Sequence, residues 1–225
     1  MTEDAMNDRQ VLLSGGTSAA GRAAARALLA AGARVIVVGH DPAKLDELRA
    51  ELPEVQTEVC DLTDETAVAG LAQRLHESGR IDGILHLVGG WRGGGGLAGQ
   101  SDDDYRFLER SLTALRHVSR AFDEDLRASD AGRLAIVSST VVNRPLAGGA
   151  NYATVKAASE AWTRAVAQGY AKAARDAGTE LTSAAVIFRV KELAGLEEKL
   201  ADAYAGLWAQ DAASVNDSVI DLTGS

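Results

Sequence analysis

The chain has 225 residues, 46% of them hydrophobic and 24% charged, with 32 acidic against 23 basic side chains for a net charge of −9. That length suits one α/β core and is short for two full domains, while no apolar run approaches the ~20 residues of a membrane span. No Lys/Arg cluster is long enough to follow a phosphate backbone, so neither nucleic acid nor a membrane is an expected partner.

The polar start MTEDAMNDRQ lacks the basic and apolar segments of a signal peptide. A cytoplasmic location is expected, where the lone Cys60 stays a thiol. The chain holds 42 Ala and 23 Gly but only 3 Pro and 10 aromatics. Leu, Val and Ile must then supply the bulk, packed against small residues, which favours helices on a sheet over an aromatic-rich sandwich.

Short β-branched runs alternate with Ala-rich amphipathic stretches, the pattern of βαβ units. A first strand is predicted over 9–14, followed by a Gly-rich turn and a helix over 19–31 that Gly32 stops. The second strand covers 34–39, and Asp41-Pro42 opens a helix to 51, since Pro suits a first helical turn and Asp can cap it. A third strand over 55–60 leads to a helix capped by Thr63 or Asp64 and running to about 78. The fourth strand, 81–88, precedes GGWRGGGGLAG, with seven Gly between positions 89 and 99, and a long helix over about 101–128. Then come a fifth strand over 133–139, a second long helix over 151–177, a sixth strand over 180–188, a helix over 193–210 and a final strand over 218–222.

There is no internal repeat, Pro- or Ser-rich linker or long charge block. The expected architecture is one α/β domain over 1–225, with 1–8 as a flexible tail. It is a Rossmann-like doubly wound sheet of about seven mostly parallel strands with helices on both faces. In such sheets ligands bind at the carboxyl ends of the strands.

Ser14-Gly15-Gly16-Thr17-Ser18-Ala19-Ala20-Gly21 follows the first strand and opens the first helix. In that place a small-residue turn can cradle a pyrophosphate with backbone N–H groups and the helix dipole; the alternative is a tight turn with no ligand. Asp61, just past the third strand, could accept a hydrogen bond from an adenine amino group or cap the next helix. A fold selecting NAD usually carries an acidic residue at the end of the second strand, whereas a 2′-phosphate needs that carboxylate absent and a cation nearby. Here the position is Gly39, followed by His40, which could face a 2′-phosphate although neutral His substitutes poorly for Arg. Asp41 reads as a helix cap rather than a ribose ligand. The reading favours NADP(H), with NAD(H) second.

The fifth strand ends in Ser138-Ser139, and thirteen residues after Ser139 begins Tyr152-Ala-Thr-Val-Lys156. Tyr152 and Lys156, at i and i+4, project from one face of a helix near its start. A Tyr-x-x-x-Lys pair alone is common. In this order, with a strand-terminal Ser and a phosphate turn, it marks a reaction centre.

These features resemble the short-chain dehydrogenase/reductase family over essentially the whole chain. The resemblance implies an NAD(P)(H)-dependent oxidoreductase acting on a small carbonyl or alcohol, usually as a homodimer or homotetramer joined through the two long helices. It makes Tyr152 the general acid in reduction or base in oxidation, and Lys156 the positive charge that favours phenolate and holds the nicotinamide ribose. Ser139, chosen over Ser138 by its spacing, orients the substrate oxygen. Ser14, Gly15, Thr17, Ser18, Ala19, Ala20, Gly21, His40, Asp61, Leu62 and Gly89 are the remaining implied cofactor positions. No metal is expected.

Four departures stand out. Ala19 replaces the middle Gly of the turn, and an added methyl narrows the approach to a pyrophosphate. His86-Leu87-Val88-Gly89 replaces Asn-Asn-Ala-Gly, with His86 read as structural. Ser111 stands where the family has an Asn whose main chain holds a relay water, a task open to any residue's carbonyl. After the sixth strand the Pro-Gly and the helical lid are missing. That implies an open site for a bulky or carrier-borne substrate, or a site covered by the Gly-rich loop, whose Trp91 could stack on substrate and Arg92 pair with a carboxylate. Two other functions compete with the oxidoreductase: a non-catalytic nucleotide sensor or scaffold of the same fold, and a non-redox lyase or isomerase using Tyr152. Tyr204, Trp208 and Trp162 are expected in core or subunit packing.

Overall fold

The computed structural model describes residues 6–224. Seven strands form one sheet in the order β3-β2-β1-β4-β5-β6-β7: β1 Gln10–Ser14, β2 Arg34–Gly39, β3 Gln56–Val59, β4 Gly83–His86, β5 Arg133–Ser139, β6 Ala184–Val190 and β7 Val219–Asp221. Every neighbouring pair is parallel, where a mostly parallel sheet was expected. The order reverses direction between β1 and β4, which opens a crevice at their carboxyl ends.

The helices are α1 Ala19–Ala30, α2 Pro42–Glu51, α3 Glu65–His76, α4 Asp102–Ala121, α5 Asp123–Ala128, α6 Ala150–Ala177, α7 Glu197–Ala205 and α8 Ala212–Val215. Alternation along the strands explains the two cores. Val11 and Leu13 of β1 point into the layer filled by α1, α2 and α7, while Leu12 points into the layer filled by α3, α4, α5 and α6. The abundance of Ala follows from the first layer, where Ala23, Ala24 and Ala25 of α1 are fully enclosed between the sheet and α7. Tyr204 and Trp208 meet edge-to-face at 5.2 Å in the same core, as expected.

The strands β3, β4 and β7 are shorter than expected by one or two residues at each end, and three differences are larger. The helix expected over 101–128 breaks at Phe122 (φ −115°, ψ 14°), whose ring is fully buried, so α4 and α5 are separate. The sixth strand starts later because Thr182 Oγ1 and Ser183 Oγ donate to the carbonyls of Ser129 and Leu126, holding that stretch outside the sheet. The helix expected over 193–210 is only Glu197–Ala205 plus a 3-10 turn at Gly206–Ala209, and α8, capped by Asp211, was not anticipated. Of the tail expected over 1–8, residues 1–5 lie outside the described residues. Met6 is buried, and the Asp8 amide donates to the Gly32 carbonyl at 3.1 Å.

Candidate active site

A cleft of about 490 Å³ lies over the ends of β1, β2 and β4. Gly15 (φ +75°), Thr17 and Ser18 form its floor. At Gly15 a Cβ would lie 3.0 Å from the Val88 backbone nitrogen, and at Gly21 one would lie 2.0 Å from the Gly16 carbonyl oxygen, so the turn closes only around hydrogen-sized side chains. Ser18 caps α1 by accepting from the Gly21 amide at 3.2 Å. The amides of Ala19 and Ala20 have no acceptor among the described residues. They give the positive end of α1 two free donors, the arrangement an anion needs. Ser14 is fully buried beneath the turn, and its Oγ has no protein partner.

At the other end of the cleft, His40 is exposed and Asp41 caps α2 by accepting from the amides of Ala43 and Lys44. Asp61 is not the cap of α3, a role that Asp64 fills through the Thr66 and Ala67 amides. Asp61 instead accepts from the Thr63 amide (2.9 Å) and hydroxyl (2.7 Å) and pairs with Arg110 at 3.4 Å. The Thr63 bonds hold its carboxyl below the usual range. Leu62 is buried, and its carbonyl meets His117 Nδ1 at 3.2 Å. Sequence reading missed Lys44, Arg110 and Phe107 in this lining. Lys44 was within reach of inference, three residues past the capping Asp41, but the two α4 residues enter only through helix placement.

Ser138 and Ser139 project to opposite faces of β5. Ser139 Oγ accepts from the Val141 amide at 3.4 Å and lies near enough to the Tyr152 hydroxyl to lower its pKa, while Ser138 Oγ donates to Glu160 Oε1 at 2.7 Å, so alternation along β5 sets the two apart. Lys156 Nζ lies 5.7 Å from the centroid of the Tyr152 ring and donates to the Val137 carbonyl at 2.8 Å. Burial raises the Tyr152 hydroxyl above its usual value against the opposing Ser139 bond, so the phenol, not phenolate, is the resting form. Burial brings Lys156 itself down to about 8, opposed by the charge of Glu160. A Cβ on Gly89 would lie 3.8 Å from that ammonium.

His86 is buried and held near 4 mainly by desolvation, hence neutral. Since the Ser111 carbonyl can only accept, the 3.0 Å contact places the His86 proton on Nε2 and leaves Nδ1 without a protein partner. One lone pair of the Ser111 carbonyl is thereby engaged by His86, which sequence reading did not foresee. Behind Lys156, Glu160 accepts from Arg189 Nε (2.8 Å) and Nη2 (2.5 Å), and Arg189 Nη1 reaches Asn143 Oδ1 at 2.9 Å. Arg189 stands where Pro-Gly was missed, and no local pattern announces its partner 29 residues away.

Only residues 191–196 separate β6 from α7, in accord with the absent lid. Trp91 is 66% exposed, and Arg92 lies over the Phe107 ring at 4.4 Å rather than against a carboxylate. Among the described residues no cluster of three His, Cys, Asp or Glu is placed to hold a metal, and no helix is long and apolar enough to cross a membrane.

A family model described as short chain dehydrogenase matches residues 9–174. The oxidoreductase YvrD of Bacillus subtilis is 27% identical over 167 residues, covering 72% of this chain and 63% of that protein, so the chain spans less than two thirds of this relative. A short chain dehydrogenase from Shigella flexneri complexed with NADP superposes with a TM-score of 0.85 at 22% identity, over 99% of this chain and all of that one. NAD+-bound xylitol dehydrogenase does so with a TM-score of 0.82 at 17% identity, over 96% and 98% of the two chains.

Proposed function

From the premise that the chain belongs to the short-chain dehydrogenase/reductase family, we propose that it is an NAD(P)(H)-dependent oxidoreductase that interconverts a carbonyl compound and its alcohol. The observation that carries this reading is that Ser139, at the end of β5, acts on the Tyr152 hydroxyl, with Lys156 Nζ 5.7 Å from the centroid of the same ring. That arrangement also argues against a scaffold that has lost its chemistry.

The cleft suits a dinucleotide: the two free amides of α1 meet a pyrophosphate, and the side-chain-free positions Gly15 and Gly89 leave room towards Lys156. When bound, the nicotinamide supplies or accepts a hydride. Ser139 donates a hydrogen bond to the carbonyl oxygen and orients it. Tyr152 then passes its phenolic proton to that oxygen as charge develops there, so the carbonyl carbon gains a hydride and its oxygen a proton. Lys156, protonated below about pH 8, holds positive charge beside the phenol and compensates the phenolate left behind.

NADP(H) is the preferred partner in this reading, supported by Gly39 in place of an acidic strand end and by Lys44 and His40 at the adenosine end of the cleft. Lys44→Ala is expected to raise the KM for NADPH about tenfold, an ion-pair effect of roughly 1.4 kcal/mol, with little change for NADH. Equal loss with both cofactors would remove the 2′-phosphate from this position. Steady-state assays of NADPH and NADH oxidation against a carbonyl panel test the activity itself.

The reading extends to a homodimer or homotetramer packed through α4 and α6, where Ala161 and Ala165 lie exposed. Sedimentation velocity is expected to show a species of at least twice the chain mass, and Ala161→Glu to reduce it to the single chain.

A further inference from the structure

Five of the six large apolar side chains most exposed among the described residues lie on three adjoining segments, with Phe107 also bordering the cleft beneath Arg92. Trp91 and Leu97 (66% and 70% exposed) lie on the Gly-rich loop, Tyr105 and Phe107 on the first turns of α4, and Leu146 (69%) on the loop leading to α6. Val59, on the edge strand β3, is the sixth.

These segments are tied into one unit. The Gly94 amide donates to the Gly148 carbonyl at 2.7 Å. Gln100 Nε2 meets the carbonyls of Gly94 (3.0 Å), Gly96 (3.2 Å) and Gly148 (3.0 Å), while its Oε1 accepts from the Asn151 amide at 3.1 Å. Since α6 begins after Gly149, which has no side chain to cap it, Gln100 serves as that cap from 51 residues away. A Cβ on Gly93 would lie 2.6 Å from the Gly148 oxygen and 3.2 Å from the Trp91 ring, so the indole and the second loop pack on either side of a bare backbone. The carboxylates at the start of α4 are turned to their own neighbours: Asp102 and Asp103 to Arg106, and Asp104 to Ser101.

We propose that this apolar lip binds the non-reacting part of the substrate, and that the substrate is accordingly a carbonyl or alcohol bearing a bulky alkyl or aryl group. The inference rests on the oxidoreductase reading. It is supported by continuity with the reaction centre: the chain after β4 passes Lys156 at Gly89, and Gln100 holds the residue immediately before Tyr152. The other side of the centre is the polar cleft fitted to a dinucleotide. A substrate whose oxygen sits at Ser139 and Tyr152 therefore has this lip as the surface over which its remainder can lie. The staple by Gln100 makes that surface preformed, which limits the ordering cost on binding.

The test uses straight-chain methyl ketones of increasing length, with kcat/KM read alongside the calorimetric Kd of the matching alcohols for the protein loaded with NADP+. Both constants are expected to improve about two- to fourfold per methylene until the lip is covered. The double variant Trp91→Ser/Leu146→Ser and, separately, Gln100→Ala are expected to flatten that dependence, whereas Val59→Ser keeps it. A flat series in the native protein, or an undiminished one in the double variant, overturns the lip. So does self-association that disappears in the double variant, which would make a second copy the occupant. Absence of hydride transfer to any ketone would instead defeat the oxidoreductase reading, and the alcohol Kd series would still decide whether the lip binds apolar chains.

Discussion

Tyr152→Phe is expected to lower kcat for carbonyl reduction by about 10²–10⁴-fold, the range that a positioned general acid supplies, with the affinity for NADPH essentially unchanged. The substitution removes one hydroxyl and keeps the ring, so α6 and the cleft stay intact. A variant retaining more than about a tenth of the native rate would place the proton donor elsewhere. The pH profile carries a second signature. With Lys156 near 8, its positive charge is present below that pH and lost above it, so kcat/KM for reduction is expected to decline through about pH 8. Lys156→Arg, charged throughout, moves that limb upward if it retains activity.

Arg189→Met is expected to destabilise the fold by about 3–5 kcal/mol, because removing one member of a buried pair leaves an uncompensated charge. Glu160 is only 5% exposed at its side chain and would keep the Ser138 hydroxyl alone. In the native protein burial pushes the Glu160 carboxyl up, but the bonds from Arg189 and Ser138 bring it below its ordinary value. A depressed folded value means that the contribution to stability is complete above the unfolded pKa of ~4.3 and fades as pH falls through the folded value. In Arg189→Met, burial, the largest influence on Glu160, is opposed by the Ser138 bond and the charge of Arg164 alone, and the sign is expected to reverse: the penalty appears above the unfolded value and is relieved by acid. Denaturant titrations at pH 7 and pH 4 check both statements. Glu160→Leu combined with Arg189→Met is expected to recover most of the loss, since neither charge remains to be solvated. Recovery of stability without recovery of activity would assign the pair to positioning Lys156 as well as to packing.

The features legible in the sequence are those encoded within a few residues. Strand β2 and strand β5 have the predicted bounds because β-branched runs end at turn signals on both sides. Asp41 caps α2 as expected, its carboxylate reaching amides two and three residues ahead. Alternation along β5 sends Ser138 and Ser139 to opposite faces, Ser138 turning to Glu160. Failures cluster where distant partners intervene. Thr182 and Ser183 read as strand residues, but hydrogen bonds to α5 draw them out of the sheet. Asp61 left two local roles open, and its ion pair with Arg110, 49 residues on, was invisible until α4 was placed.

By itself the sequence determined the alternating α/β pattern, the Gly-rich turn after β1, and the order and spacing of Ser139, Tyr152 and Lys156, because periodicity, capping and turn chemistry act over a few residues. Only the tertiary structure decided what surrounds them: the Glu160–Arg189 pair across 29 residues, His86 against the Ser111 carbonyl across 25, and Gln100 as the cap of α6 across 51. Those partners depend on which strands are neighbours and on how α4 and α6 sit over them, which is settled by burial of the two cores as a whole. The missing lid was readable as a shortfall of residues after β6; that a stapled, apolar loop borders the same centre was not.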